Sequence, residues 1–203
     1  MLIILEGANG VGKSTYAKIL TNELNIPVFR PFYMGNKIHL TNVNSQKQEQ
    51  QKKLLRFGVE LNIHIEDLFA ADFFAMTQAS AILDRSLPSS IAYGQIGSGK
   101  WDVIYKNKSA CQELLELWEG MIAKAHQPIL YVWLNCEHEI ATKRGDGWKP
   151  NKAQRQKLDK VFFDLFTRIK LPKMRINTGV VEKREGVKSI IRKVVKNVFA
   201  EKF

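Results

Sequence analysis

Short continuous apolar runs alternate along this chain with longer stretches in which apolar residues recur every three or four positions. Met1 to Leu5 is one such run. It ends at Glu6-Gly7, the pattern of a strand buried on both faces. Glycine-rich sequence follows, and then Ala17, Leu20 and Leu24 at helical spacing predict a helix over Lys13 to Leu24. Ile26 to Phe29 is a second short strand closed by Arg30-Pro31, and the Gln/Asn-rich 35–53 reads as a loop. Leu55, Val59, Ile63 and Leu68 predict a helix over Leu54 to Met76. Ser80 to Leu83 is the next strand and stops at Asp84-Arg85. Residues 95–108 read as loop and Cys111 to Ala125 as helix. Ile129 to Leu134 is a β-branched and aromatic strand introduced by Pro128. A Gly/Lys/Pro loop at Arg144 to Asn151, a helix from Lys152 to Ile169 and a strand over Met174 to Asn177 complete the pattern.

Strands alternating with helices predict an α/β protein: a three-layer domain with a parallel sheet flanked by helices and a small lid near 144–155. One domain is expected over the 203 residues, with no internal repeat and no linker. In the C-terminal helix Val187, Ile190, Ile191, Val194, Val195, Val198 and Phe199 form one stripe. Lys188, Arg192, Lys193 and Lys196 lie opposite. Such a helix either rests on a membrane surface or covers a sheet face, and the sheet is the expectation here.

Composition changes this picture little. Hydrophobic residues at 45% and charged residues at 25% are ordinary for a globular protein. No apolar run reaches the length of a membrane span, and Leu2 to Leu5 is too short for a signal peptide. The two cysteines, Cys111 and Cys136, have neither metal-type spacing nor a disulfide framework, so a cytoplasmic, reducing setting is expected. The net charge of +11 does matter: it suits polyanionic partners, nucleotides above all, and keeps nucleic acid in view.

The chemistry begins at Gly7-Ala8-Asn9-Gly10-Val11-Gly12-Lys13-Ser14, with Thr15 behind it, which fits GxxxxGK[ST]. Backbone N–H groups must turn inward around a β-phosphate, and glycines let the chain approach without a Cβ in the way. The following helix adds the positive end of its dipole. Lys13 is expected to reach the β- and γ-phosphates of ATP and Ser14 to bind Mg²⁺. The strand before the motif and the helix after it are the context that such a loop requires.

A second segment, Asp84-Arg85-Ser86-Leu87-Pro88-Ser89-Ser90-Ile91-Ala92-Tyr93, begins at a strand's carboxyl end, where ligands bind in open α/β sheets. With the loop it resembles the thymidylate kinase family, whose members carry a DR[YFH]xxSxxA[YF] segment. Asp84, Arg85, Ser89, Ala92 and Tyr93 match in register, and Ser86 replaces the usual aromatic. Leu68-Phe69-Ala70-Ala71-Asp72 is similar to that family's LFAADR helix, and Ala141-Thr142-Lys143-Arg144 to its approach to the lid.

The resemblance implies transfer of the ATP γ-phosphoryl group to a nucleoside monophosphate, dTMP or another deoxynucleotide. On that analogy Arg85 would grip the acceptor phosphate, Asp84 would organise the Mg²⁺ shell or Arg85, and Arg144 would be a lid arginine. Arg30, Phe32, Asp72, Phe73, Ser89 and Tyr93 would line the acceptor site, and a homodimer is a family expectation. The chain departs from the family at Asn9, where Asp is usual, and at Phe73, where an arginine follows LFAAD.

Two other acceptors compete. Deoxynucleoside kinases share the loop but need a carboxylate base for a neutral hydroxyl, and Pro27 to Lys37 holds no Asp or Glu. The basic balance would suit a kinase acting on a nucleic-acid end or a modified base.

Overall fold

The structure is a computed structural model, and it describes residues 1–29, 61, 64–77, 80–96, 108–144 and 151–200. In chain order the elements are β1 (Leu2–Glu6), α1 (Lys13–Leu24), β2 (Val28–Phe29), α2 (64–77), β3 (Ala81–Asp84) and α3 (Leu87–Gln95). They continue with α4 (Lys108–Ile122), β4 (Ile129–Asn135), α5 (His138–Arg144), α6 (Lys152–Arg168), β5 (Lys173–Asn177) and α7 (Lys183–Ala200). The strands form one parallel sheet in the order β2-β3-β1-β4-β5.

β1 is the central strand, which explains its unbroken apolar run. It pairs with β3 from Leu2–Ala81 to Leu5–Asp84 and with β4 from Leu2–Ile129 to Glu6–Trp133. All five residues of β1 are buried, and each Leu or Ile contributes about 1.5–3 kcal/mol on leaving water. On one face of β4, Tyr131 and Trp133 stack against Phe166, Phe163 and Trp118 of α6 and α4. Val132 and Leu134, which alternate with them, are equally buried. There α1 and α7 pack together, and a Cβ on Gly186 would lie only 2.3 Å from the Tyr16 hydroxyl.

The expected three-layer α/β architecture is therefore present, with strand bounds within two residues of those read from the sequence. Two short helices, α3 and α5, were not foreseen. Of the lid expected over 144–155, residues 145–150 lie outside the described residues; on either side of them Arg144 ends α5 and Lys152 begins α6. An Asn151–Gln154 capping box closes α6 at that point, each side chain accepting from the other residue's amide at 2.9 and 3.1 Å. The core of the expected C-terminal stripe is Val187, Ile190 and Val194, which are buried, whereas Val195 is exposed. Among the described residues no helix is long and apolar enough to cross a membrane.

Candidate active site

The parallel strands end together, and the glycine loop between β1 and α1 lies across that carboxyl edge. Three of its glycines have left-handed φ: 138° at Gly7, 76° at Gly10 and 92° at Gly12. A Cβ on Gly7 would stand 2.2 Å from the Leu134 carbonyl oxygen, and one on Gly10 2.6 Å from that of Ala141. The loop thus needs glycine both for conformation and for the close passage of β4 and α5. Gly12 caps α1, whose first turn carries no acidic residue, so the positive end of the helix stays uncompensated there.

Lys13 is buried, and its ammonium donates to the carbonyls of Gly7 at 2.9 Å and Ala8 at 2.8 Å. Burial, helped by the charges of Arg85 and Arg155, pulls its pKa well below the ordinary lysine value, against the attraction of Asp84 and Glu6. A polyphosphate in the loop would supply the anionic partner that this buried cation requires. Ser14 and Thr15 follow on the exposed side of the first turn.

Arg85 stands at the end of β3 with a φ of 81°, one of two non-glycine residues with positive φ among those described. Its guanidinium donates to the Asn9 Oδ1 and lies 5.4 Å above the centre of the Tyr93 ring. Tyr93 completes the triangle, since its hydroxyl accepts from the Asn9 amide at 2.8 Å and donates to Asn9 Oδ1 at 3.1 Å. Asp84 is buried just before Arg85 and close enough to Lys13 to favour its charged form. The Asp84-Arg85 pair and the phosphate loop, 70 and more residues apart in sequence, therefore meet in one cleft.

Two further arginines approach the loop from the other side. Arg144 donates to the Thr178 hydroxyl at 3.0 Å and to its carbonyl at 2.9 Å, and the Thr178 hydroxyl in turn donates to the Val11 carbonyl at 2.7 Å. Arg144 is thus tied to the β5–α7 turn beside Gly12. Arg155 is buried and spans from the Asn9 carbonyl at 2.8 Å to the Cys136 carbonyl at 3.3 Å, while its Nε donates to Asp159.

A sequence profile described as AAA domain matches residues 2–184. The chain belongs to the AAA domain family. It is also 28% identical over 119 residues to the thymidylate kinase of Helicobacter acinonychis (strain Sheeba), covering 58% of this chain and 62% of that relative, less than two thirds of its length. The fold matches the YorR protein of Bacillus subtilis, solved in complex with phosphorylated GDP, at a TM-score of 0.59 and 20% identity over 98% of each chain. It matches the deoxyadenosine kinase of M. mycoides with bound dATP at a TM-score of 0.61 and 15% identity, over 96% of this chain and 99% of that one. The architecture is that of the P-loop nucleoside and nucleotide kinases.

Within that architecture several expected site residues sit elsewhere. Asp72 belongs to the opposite edge of the sheet: its carboxylate accepts from the amides of His126 at 3.0 Å and Gln127 at 3.2 Å and lies 2.9 Å from the His126 Nδ1, before β4 begins. Phe73 beside it is 67% exposed at the same edge. The reason is direction, since α2 runs into β3 and so delivers its C-terminal end to the amino edge. Ser89 is fully buried and donates to Glu6, so it does not line the cleft. Arg30 and Phe32 lie outside the described residues.

Three buried residues outside the expected site set surround Arg85 and the phosphate loop. Glu6 is fully buried and accepts from the amide and hydroxyl of Ser86, each at 2.6 Å, and from the Ser89 hydroxyl. His64, on α2, lies 2.8 Å from the Ser90 hydroxyl on α3. Burial first and the Arg85 charge second bring its pKa down to about 4, so it is a neutral imidazole near pH 7. Arg155 is the third, and its Asp159 partner at i+4 was the signal available in the sequence.

Proposed function

We propose that this protein is an ATP- and Mg²⁺-dependent nucleoside monophosphate kinase, thymidylate kinase-like in its reaction. The observation that carries the reading is the bond from the Arg85 guanidinium to Asn9 of the glycine loop. It supports a cation at the boundary between the triphosphate cradle and the rest of the cleft, where a second phosphate would approach. Phosphoryl transfer asks the protein mainly for positioning and positive charge. Lys13 in the loop and Arg85 at its mouth supply both, and the helix end behind Gly12 adds to them.

The donor set fits magnesium. Ser14 offers an exposed hydroxyl and Asp84 a carboxylate near Lys13, and no cluster of three His, Cys, Asp or Glu residues exists among those described. A hard cation here would take its remaining oxygens from phosphate and water, as Mg²⁺ prefers. Its contribution would be to draw charge from the phosphate oxygens, while Lys13 and Arg85 hold donor and acceptor in line.

Carboxylate placement also supports a phosphorylated acceptor. A neutral hydroxyl needs a base. Both oxygens of Glu6 are engaged by serines, and Asp72 is on the wrong edge. A deoxynucleoside kinase remains the second reading, favoured by the fold match to the M. mycoides enzyme, and it would fall to Asp84 among the described residues to act as that base.

The test is ADP release with ATP and Mg²⁺ over a panel of nucleosides, nucleoside monophosphates and short oligonucleotides. Turnover with one or a few monophosphates is expected. Turnover with nucleosides alone would replace this reading by the deoxynucleoside kinase one. Turnover with oligonucleotides alone would make the +11 charge the better guide. In the active system Arg85→Ala is expected to raise the acceptor KM and lower kcat, together costing on the order of 10²- to 10³-fold in kcat/KM. An unchanged acceptor dependence would remove Arg85 from the site.

A further inference from the structure

The strand pair β1–β3 ends at Leu5 opposite Asp84. Beyond it the two chains part, one turning at Gly7 into the phosphate loop and the other at Arg85 into α3. The Arg85 amide still donates to the Leu5 carbonyl at 3.0 Å. The Ser86 amide no longer finds a backbone acceptor on β1 and donates instead to the Glu6 Oε1 at 2.6 Å. The Ser86 hydroxyl reaches the same oxygen at 2.6 Å, and the Ser89 hydroxyl takes the other. The amide of Ser89 donates to the Ser86 carbonyl at 3.0 Å and closes the first turn of α3. One side chain thus replaces the missing ladder and ties down both the residue after Arg85 and the first turn beyond it.

That matters because the Arg85 backbone is strained. A non-glycine residue at φ 81° is held in a region that costs roughly 1–3 kcal/mol, and it persists only where its surroundings over-determine it. The Leu5 carbonyl fixes one side and the Glu6 carboxylate the other. Three donors converging on two oxygens call for a group that only accepts. A carboxylate does so, whereas a glutamine would turn an NH₂ toward a donor.

We propose that Glu6 is a positioning residue for Arg85, holding the β3–α3 junction so that the guanidinium is presented to Asn9 and the mouth of the phosphate loop. It touches no substrate and acts through Arg85. The consequence for acceptor binding rests on the reading of Arg85 given above, but the effect on Arg85 itself does not.

The experiment joins a readout of Arg85 to kinetics with ATP and dTMP. In ¹⁵N-labelled protein the Arg85 Nε–H resonance is assigned by its loss in Arg85→Lys. Glu6→Gln and, as the milder lesion, Ser89→Ala are expected to shift or broaden it while the Arg144 and Arg155 resonances hold. An Arg85 resonance unmoved in Ser89→Ala and in folded Glu6→Gln would overturn the proposal. In the kinetics, Glu6→Gln is expected to cost on the order of 10- to 100-fold in kcat/KM for the acceptor, with the ATP KM within about twofold. The Glu6→Gln/Arg85→Ala double variant is expected to be no worse than Arg85→Ala alone. Additive losses would mean that Glu6 acts by another route and would sink the proposal. If Arg85→Ala leaves the acceptor KM untouched while Glu6→Gln still moves the resonance, the phosphate-acceptor reading fails and the positioning role stands.

Discussion

Glu6 and Asp72 are both buried carboxylates, and each gathers donors from neighbouring residues of one turn, yet they lie at opposite edges of the same sheet. Glu6 holds the junction that carries Arg85, beside the phosphate loop. Asp72 pins the turn at His126-Gln127 that starts β4, and the Met1 ammonium lies within its electrostatic reach. Helix α2 runs between the edges, with His64 near Arg85 and Asp72-Phe73 toward the amino edge. Ligands bind at the carboxyl edge of open parallel sheets, so an identical hydrogen-bonding device is expected to have a different meaning at each edge.

The strongest way to break this contrast is to disable each edge separately. Lys13→Ala at the carboxyl edge is expected to lower kcat by at least about 10³-fold, because the cation proposed to face the transferring phosphate is gone. The melting temperature is expected to stay within about 4 °C of the parent, since only hydrogen bonds inside the loop are lost. Asp72→Ala at the amino edge is expected to do the reverse. Leaving the amides of His126 and Gln127 without their acceptor costs about 2–4 kcal/mol in urea unfolding, while the acceptor KM of the folded fraction stays the same. A tenfold rise in acceptor KM in Asp72→Ala would mean that the amino edge takes part in substrate binding after all.

The two edges also differ in how far the sequence discloses them. The loop expected to cradle the donor is contiguous: glycines at 7, 10 and 12, a lysine and a hydroxyl in one short segment leave little else for the backbone to do, and the three glycines take positive φ. The residues expected to line an acceptor come from distant pieces of the chain. Asp72 finds its partners more than 50 residues further on, and the string Leu68 to Asp72 gives no hint of the edge it reaches. Chain direction could have supplied that hint, because a helix that runs straight into a parallel strand brings its last turn to the strand's amino end. Glu6 differs in another way: a charged residue closing an apolar run commonly marks a strand's exit to solvent, and here it is buried. The short helix α3 was missed because Ser89, Ser90 and Gly94 dilute its pattern and Pro88 near its start suggests a loop.

The contrast sharpens along α2 when pH is varied. The folded-state pKa of His64, about 4, lies below the ordinary 6.5, so unfolding takes up a proton between those values. Stability from this residue is fully present above pH 6.5 and is lost as pH falls toward 4, amounting to roughly 2 kcal/mol at pH 5. Glu6 has the opposite sign: burial outweighs its hydrogen bonds and raises its pKa, so its contribution improves as pH falls. His64→Gln is expected to flatten the decline in melting temperature between pH 7 and 5 relative to the parent protein. Parallel pH profiles for the two proteins would show that His64 titrates normally and is not buried near Arg85.

The smallest expected effect tests the far end of the same helix. Phe73 occupies the position at which the family resemblance places a residue that reads the acceptor, and a ring there invites the idea of stacking on a base. In the fold it is 67% exposed, one position beyond a carboxylate that is bound to the turn before β4. Its neighbour Phe74 packs edge-on against Phe29, with ring centres 5.7 Å apart, so the aromatic packing of this turn does not depend on Phe73. Phe73→Ser should then change stability by less than about 0.5 kcal/mol, as surface substitutions do. The acceptor KM and the preference among bases should stay within about twofold of the parent. A changed base preference in this variant would show that the acceptor reaches Phe73, and the division of labour between the two edges would have to be abandoned. If base preference instead responds to His64→Gln and not to Phe73→Ser, the reading end of α2 is the end that faces Arg85.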